Sequence, residues 1–160
     1  MSYGRFAAMI ATSTIVMFGL MYLNTYAIDH IFFSQTRAWM AVLMGAAMAC
    51  VMLLFMWSMY GSRRANIGIL CASILVFGVS LYLVRSQASV SDVGYMEAMI
   101  PHHSIAVMTS RRAHIRDERV RRLADGIIEA QLREIDEMNR LVADLKRNPV
   151  SDGAPDLPAR

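Results

Sequence analysis

The sequence predicts an all-α fold in which three transmembrane helices lead into a polar helical hairpin outside the membrane. Two observations carry this. Three stretches, Phe6 to Ile28, Ala38 to Tyr60 and Ile67 to Val84, contain no Asp, Glu, Lys or Arg, and each is long enough to cross a hydrocarbon core of about 30 Å at about 1.5 Å per residue. Beyond them, apolar side chains from Val120 to Leu145 recur at spacings of three and four, the period of a half-buried helix. The chain therefore divides into a three-span region (1–84, with spans 6–28, 38–60 and 67–84), a hairpin (85–147) and a tail (148–160).

The first span is too long for a signal-peptide core, lacks a small-residue cleavage site and precedes two more spans, so it is expected to stay as an anchor. In the second span Met40, Met44, Met48, Met52 and Met56 repeat every four residues. Each step turns the position by about 40°, which makes a slow spiral of thioethers. Such a spiral suits either a soft-metal path or adaptable packing, and the lack of a charged gate in the spans favours packing. Cys50 and Cys71 sit at depths of roughly 15 Å and 6 Å from the inner ends of their spans, a difference that argues against a disulfide within one chain. Arg5, Arg63 and Arg64 flank one membrane face, whereas Arg37 and Arg85 flank the other. The positive-inside rule then places the N-terminus in the cytoplasm and the hairpin outside it, in the periplasm or cell exterior for a bacterial inner membrane.

After the third span, Ser91 or Asp92 is placed to cap a helix running to about Arg116, and Asp117 to cap a second running to about Arg147. The second helix has one seam: Val120, Leu123, Ala124, Ile127, Ile128, Gln131, Ile135, Met138, Leu141, Val142 and Leu145. The first offers Met96, Met99, His103, Val107 and Ser110, continuing toward His114. Two helices alone leave such seams poorly covered. A homodimer or higher homo-oligomer, pairing two hairpins as a four-helix bundle, is the expected remedy. The alternative cover is the chain's own membrane region. The tail, with Pro149, Gly153, Pro155 and Pro158 and few apolar residues, reads as disordered.

The overall charge of +3 does not point to nucleic acid. Residues 85–160 hold 12 basic and 12 acidic side chains, so the excess lies entirely in the membrane-flanking part. A balanced domain releases few counterions. Six arginines cluster from Arg111 to Arg122 around Asp117 and Glu118; a solvated helix-helix turn accounts for them, with lipid headgroups or an acidic partner as the alternatives.

Metal-capable groups interrupt both seams. Met99 and His103 stand at i and i+4 with Met96 one turn earlier, and Gln131, Glu134 and Met138 stand at i, i+3 and i+7 on the facing helix. Imidazole, thioether and carboxylate together suit Cu(I) and tolerate Cu(II), whereas a His and carboxylate subset without Met suits zinc. Without a metal, a buried His103 needs a hydrogen bond from Gln131 or Glu134. His102 diverges from His103 by about 100° on a regular helix. It joins the site only if Pro101 kinks or starts the helix, and otherwise serves a neighbouring chain or a second site. His114 beside Arg112 and Arg116 reads as a surface histidine at a helix end. Asp29 and His30 fall on the hairpin's side of the membrane, where they either extend its site or pin their loop.

The strings Met99-Ile100-Pro101-His102-His103, Ala106-Val107, Leu123-Ala124, Ile127-Ile128, Gln131, Glu134-Ile135 and Met138 resemble the DUF305 family over roughly residues 91–145. The preceding spans, including Asp29 to Arg37, look like its membrane-bound branch. The resemblance implies a ferritin-like helical bundle and, for some relatives, copper binding or copper tolerance outside the cytoplasm. One position departs from the family pattern: Thr109 stands where relatives commonly carry a methionine, and Met108 lies about 100° away on the helix. The expected function is extracytoplasmic copper capture or tolerance without catalysis. The alternatives are a structural or sensory subunit whose hairpin binds a partner protein, and a ferritin-like oxidase. The paired Glu-x-x-His signature of such oxidases is absent from the sequence.

Overall fold

The computed structural model describes residues 2–151, 153–155 and 157, which form five α-helices and no strand. In chain order these are α1 (Tyr3–Leu20), α2 (Gln35–Phe55), α3 (Arg63–Ser86), α4 (Asp92–Arg112) and α5 (Glu118–Leu145). They belong to two compact units. One holds α1, α2 and α3; the other holds α4, α5 and the segment Thr25–Phe32.

In the first unit all three helices are long and apolar enough to cross a membrane. Serines set their starts, since Ser2, Ser34 and Ser62 accept from the amides of Arg5, Arg37 and Ala65, each at 3.3 Å. The central helix α2 packs on both α1 and α3. Its buried line is Ala41, Gly45, Ala46, Ala49 and Leu53, mostly small residues that let backbones approach closely. At Gly45 the approach is so close that a Cβ would overlap Thr14 Oγ1 of α1. Helix α3 buries Asn66, Ser73 and Ser80, seven residues apart on one line, and turns Ile74, Leu75 and Tyr82 outward.

Aromatic clusters close both ends of this unit. At one, Phe6, Ala49, Leu53 and Tyr60 form a core, with Tyr3 stacked on Tyr60 at 5.0 Å. Tyr3 Oη donates to Asn66 Oδ1 at 2.8 Å, and Asn66 Nδ2 donates to the Trp57 carbonyl at 3.3 Å. At the other end the Arg37 guanidinium lies 4.6 Å from the Tyr22 ring centroid and donates to the Met21 carbonyl at 2.9 Å. All five methionines of the α2 spiral are half-buried, and Met52 and Met56 pack on the Phe6 core. Cys50 and Cys71 are both free.

The helix ends correct the sequence expectation. The first apolar stretch does not remain helical to Ile28. It stops at Leu20, passes through turns to Asn24 and then a single 3₁₀ turn, Ile28–His30. The cause is distant in sequence, because the Tyr26 amide donates to Ser104 Oγ at 2.8 Å and draws this segment into the second unit. Helix α2 begins at Gln35 rather than Ala38, where Ser34 caps it. It ends at Phe55 rather than Tyr60, giving way to a 3₁₀ turn at Trp57–Met59 whose Trp57 carbonyl is taken by Asn66. Helix α3 runs past 67–84 at both ends, from the Ser62 cap to Gln87, whose left-handed backbone (φ 53°) halts it.

In the second unit α4 and α5 form an antiparallel hairpin, with Glu97 facing Lys146 (2.7 Å), His103 facing Glu134 (3.1 Å) and Arg121 donating to the Ser110 carbonyl (3.0 Å). Ser91 caps α4, and Asp117 caps α5 through the amides of Arg119 (2.8 Å) and Val120 (3.4 Å). The Arg119 guanidinium and these amides hold the Asp117 carboxyl below its usual range. Helix α4 stops at Arg112, four residues before the expected end, because Ala113 turns to extended backbone (ψ 135°). Helix α5 stops at Leu145.

The buried face of α4 is Met96, Ile100, Pro101, Ser104 and Val107, and that of α5 is Ala124, Ile135 and Val142. Of the side chains expected to lack cover, Val120 and Ile127 are exposed together with Leu123 and Leu141, whereas Ile135 is buried and Leu145 half-buried. In the tail, Pro149, Gly153 and Pro155 are exposed; Pro158, with residues 152, 156, 159 and 160, lies outside the described residues.

Candidate metal-binding groove

A groove of about 450 Å³ opens between α4 and α5, lined by Asp92, Tyr95, Met96, Met99 and His103 from α4 and by Glu134, Glu137, Met138, Leu141 and Leu145 from α5. Helical spacing explains the α4 contribution, since 92, 96, 99 and 103 are three or four apart, as are 92, 95, 99 and 103, and they share a face. Five of the seven residues singled out in the sequence therefore meet: Met96, Met99, His103, Glu134 and Met138. Among the described residues no three His, Cys, Asp or Glu side chains cluster closely enough to hold a metal by themselves. The donors that converge on the groove are three thioethers, one imidazole and carboxylates at its edge.

His103 is the group whose state matters most. Its side chain is 13 % exposed, and Nδ1 lies 3.1 Å from Glu134 Oε2. The pair is close but poorly aligned, so Nδ1 is buried without a hydrogen bond. Desolvation lowers the imidazole pKa; Glu134 opposes this in part, and the neighbouring His102 adds to the lowering. A neutral ring at neutral pH, with one nitrogen unsatisfied, retains a lone pair for a ligand.

The remaining two residues stand apart from the groove. His102 is exposed and absent from its lining, with its ring centroid 6.2 Å from that of His103. Helix α4 continues through Pro101 rather than starting there, so the side chains keep the divergence of neighbours on a helix. Gln131 is half-buried farther along the hairpin and does not line the groove. Thr109 is exposed and its hydroxyl donates to the carbonyls of Ile105 (3.0 Å) and Ala106 (3.1 Å). His114 is exposed in the turn after α4.

The structure also assigns roles that sequence reasoning left open or missed. His30 Nδ1 lies 3.0 Å from Ser104 Oγ, which also accepts the Tyr26 amide, and Arg111 donates to Tyr26 Oη. His30 therefore pins its loop to α4 and does not line the groove. Asp92, Tyr95 and Glu137 were not expected at the site. One helical step from residues already singled out would have found them: Asp92 lies four before Met96, Tyr95 four before Met99 and Glu137 three after Glu134.

The fold and groove define a helical protein with a hairpin that gathers thioether, imidazole and carboxylate donors on one open face. The chain belongs to the DUF305 family: the model described as "Domain of unknown function (DUF305)" matches residues 92–157. An uncharacterized protein of Acanthamoeba polyphaga mimivirus is 33% identical over 110 residues, which span 68% of this chain and 70% of that protein, a longer stretch than the family match. No solved structure matches the chain.

Proposed function

We propose that this protein is a membrane-anchored metal-binding protein that captures copper outside the cytoplasm. The observation that carries the reading is the convergence of Met96, Met99, His103, Glu134 and Met138 on one groove. Thioethers with a neutral imidazole suit the soft Cu(I) ion, and Cu(II) is tolerated through His103 and Glu134; zinc would have to rely on His103 and the carboxylates alone. The role we propose is binding rather than catalysis, with a ferritin-like oxidase as the remaining alternative. The anchor is α1, α2 and α3, whose aromatic clusters at both ends fit the interfacial belts of membrane proteins. Arg5, Arg63 and Arg64 favour a cytoplasmic N-terminus and a hairpin on the outer, periplasmic face of a bacterial inner membrane.

A homodimer extends this reading. Val120, Leu123, Ile127 and Leu141 stay exposed along one line of α5, and burying each would contribute roughly 1.5–3 kcal/mol. Two hairpins paired on this line make a ferritin-like four-helix bundle and cover the groove. The exposed His102 is then available to the other copy. The same exposed line favours a second reading, a structural or sensory subunit that presents its hairpin to a partner protein.

The test is a Cu(I) and Cu(II) titration of full-length protein purified without a His tag, compared with the Met99→Leu/Met138→Leu and His102→Ala/His103→Ala variants. Loss of binding in the variants is expected. Unchanged affinity in both refutes the groove as the site and leaves the partner-binding reading.

A further inference from the structure

The turn of the hairpin carries a charge pattern that the groove does not use. Between Arg111 and Arg122 stand six arginines and two carboxylates. Asp117 engages Arg119 and Asp125 engages Arg121, both at 2.8 Å, and Glu118 engages Arg122 at 2.9 Å. Arg112 and Arg116 are exposed and have no carboxylate partner among the described residues. Arg111 is held by Tyr26, donating to its hydroxyl with the guanidinium 5.0 Å from the ring centroid.

Tyr26 limits where this turn can be. It follows Leu20, the last residue of α1, by six positions. Even fully extended chain covers only about 20 Å over that distance, and the turns from Met21 to Asn24 shorten it. Arg111, next to the unpaired Arg112, is thus held to a residue that the chain itself ties within that reach to a helix apolar enough to cross a membrane.

We propose that the segment from Arg111 to Arg116 docks on anionic phospholipid headgroups at the bilayer surface. Headgroup phosphates accept paired N–H bonds from guanidinium groups, and a juxtamembrane arginine is attracted by the negative surface potential. The tether favours this occupant over an acidic protein, because lipid is already present at the end of α1. The proposal rests on the membrane-anchored reading but not on copper.

Full-length protein with Cys50→Ala, Cys71→Ala and His114→Cys, spin-labelled at the new thiol, tests it in nanodiscs of phosphatidylcholine with and without phosphatidylglycerol. The readout is label accessibility to a water-soluble nickel chelate. Shielding is expected in the anionic nanodiscs, weakening at high salt. Arg112→Gln with Arg116→Gln is expected to shift the docked-to-free ratio by about thirtyfold toward free. Equal accessibility in the two lipids, or shielding that the double variant retains, overturns the proposal. Shielding in neutral nanodiscs on adding poly-glutamate, without an effect of anionic lipid, also overturns it and assigns the turn to an acidic protein. A separate sample labelled at Cys71 reports whether α3 is oxygen-accessible in the bilayer, so a failed anchor is told apart from a failed dock.

Discussion

Replacing Ser104 by alanine should loosen the loop from Thr25 to Phe32 while leaving α4 and α5 helical. Ser104 is 0% exposed, and its Oγ accepts the Tyr26 amide at 2.8 Å and sits 3.0 Å from His30 Nδ1. Alanine removes both interactions and adds no bulk. At about 0.5–1.5 kcal/mol for each, the loop loses about 1–3 kcal/mol, which raises its local opening constant about 5–150-fold. His30→Ala removes only one interaction and should raise opening about 2–12-fold. Amide hydrogen exchange of the detergent-solubilised protein reads this directly, since opening limits exchange at residues 26–32. Exchange accelerated less than about twofold in Ser104→Ala would show that the loop is held by something other than this serine.

Other perturbations reach the remaining contacts. Gly45→Ala should destabilise the first unit by about 1–3 kcal/mol, because its Cβ meets Thr14, whereas Gly78→Ala, with nothing within 4 Å, should be neutral or stabilising; thermal unfolding in detergent compares them. Met99→Leu and Met138→Leu nearly conserve volume, so each should cost less than about 1.5 kcal/mol in stability while lowering Cu(I) affinity by at least the roughly 10–100-fold seen for loss of an outer-shell partner, as competition titration would show. Burial holds the folded His103 pKa down, so the unfolded chain binds this proton more readily. Hairpin stability should therefore be complete above about pH 6.5 and decline below it, toward the folded value; denaturation with a chelator present should find this part of the pH dependence missing in His103→Gln.

The spans were legible because charge exclusion is a local property, and the hairpin because its period is local too. Helix ends were less legible. Nothing near Ile28 shows that the first helix must stop at Leu20, since the competing hydrogen bond comes from Ser104, 78 residues away. The buried face of α4 was read in part: Met96 and Val107 are buried as expected, whereas Met99 and His103 are only half-buried. A single facing helix predicts the line Met96, Met99, His103 and Val107, but α4 is also covered by the 3₁₀ turn Ile28–His30. That second cover centres burial on Ile100 and Ser104 and leaves Met99 and His103 at the edge of the face. The groove was readable because its thioether, imidazole and carboxylate side chains sit at helical spacing on two sequence-local helices. Exclusion of Gln131 depended on the hairpin's register, which only tertiary packing sets, and that of His102 on α4 continuing unbroken through Pro101.

The segment from Thr25 to Phe32 makes the second unit discontinuous, and this bears on biosynthesis. Tyr26 leaves the ribosome 78 residues ahead of Ser104, a lag of about 4–16 s at ordinary translation rates. Through that interval the loop between the first two apolar helices has no binding site, and its backbone must rely on water until α4 is made. A fragment beginning at the family match, residue 92, would omit the loop altogether. It would present Ser104 to solvent from the outset, so the hairpin cut at that boundary is an incomplete folding unit, and a graft of it onto another anchor should carry residues 25–32 along.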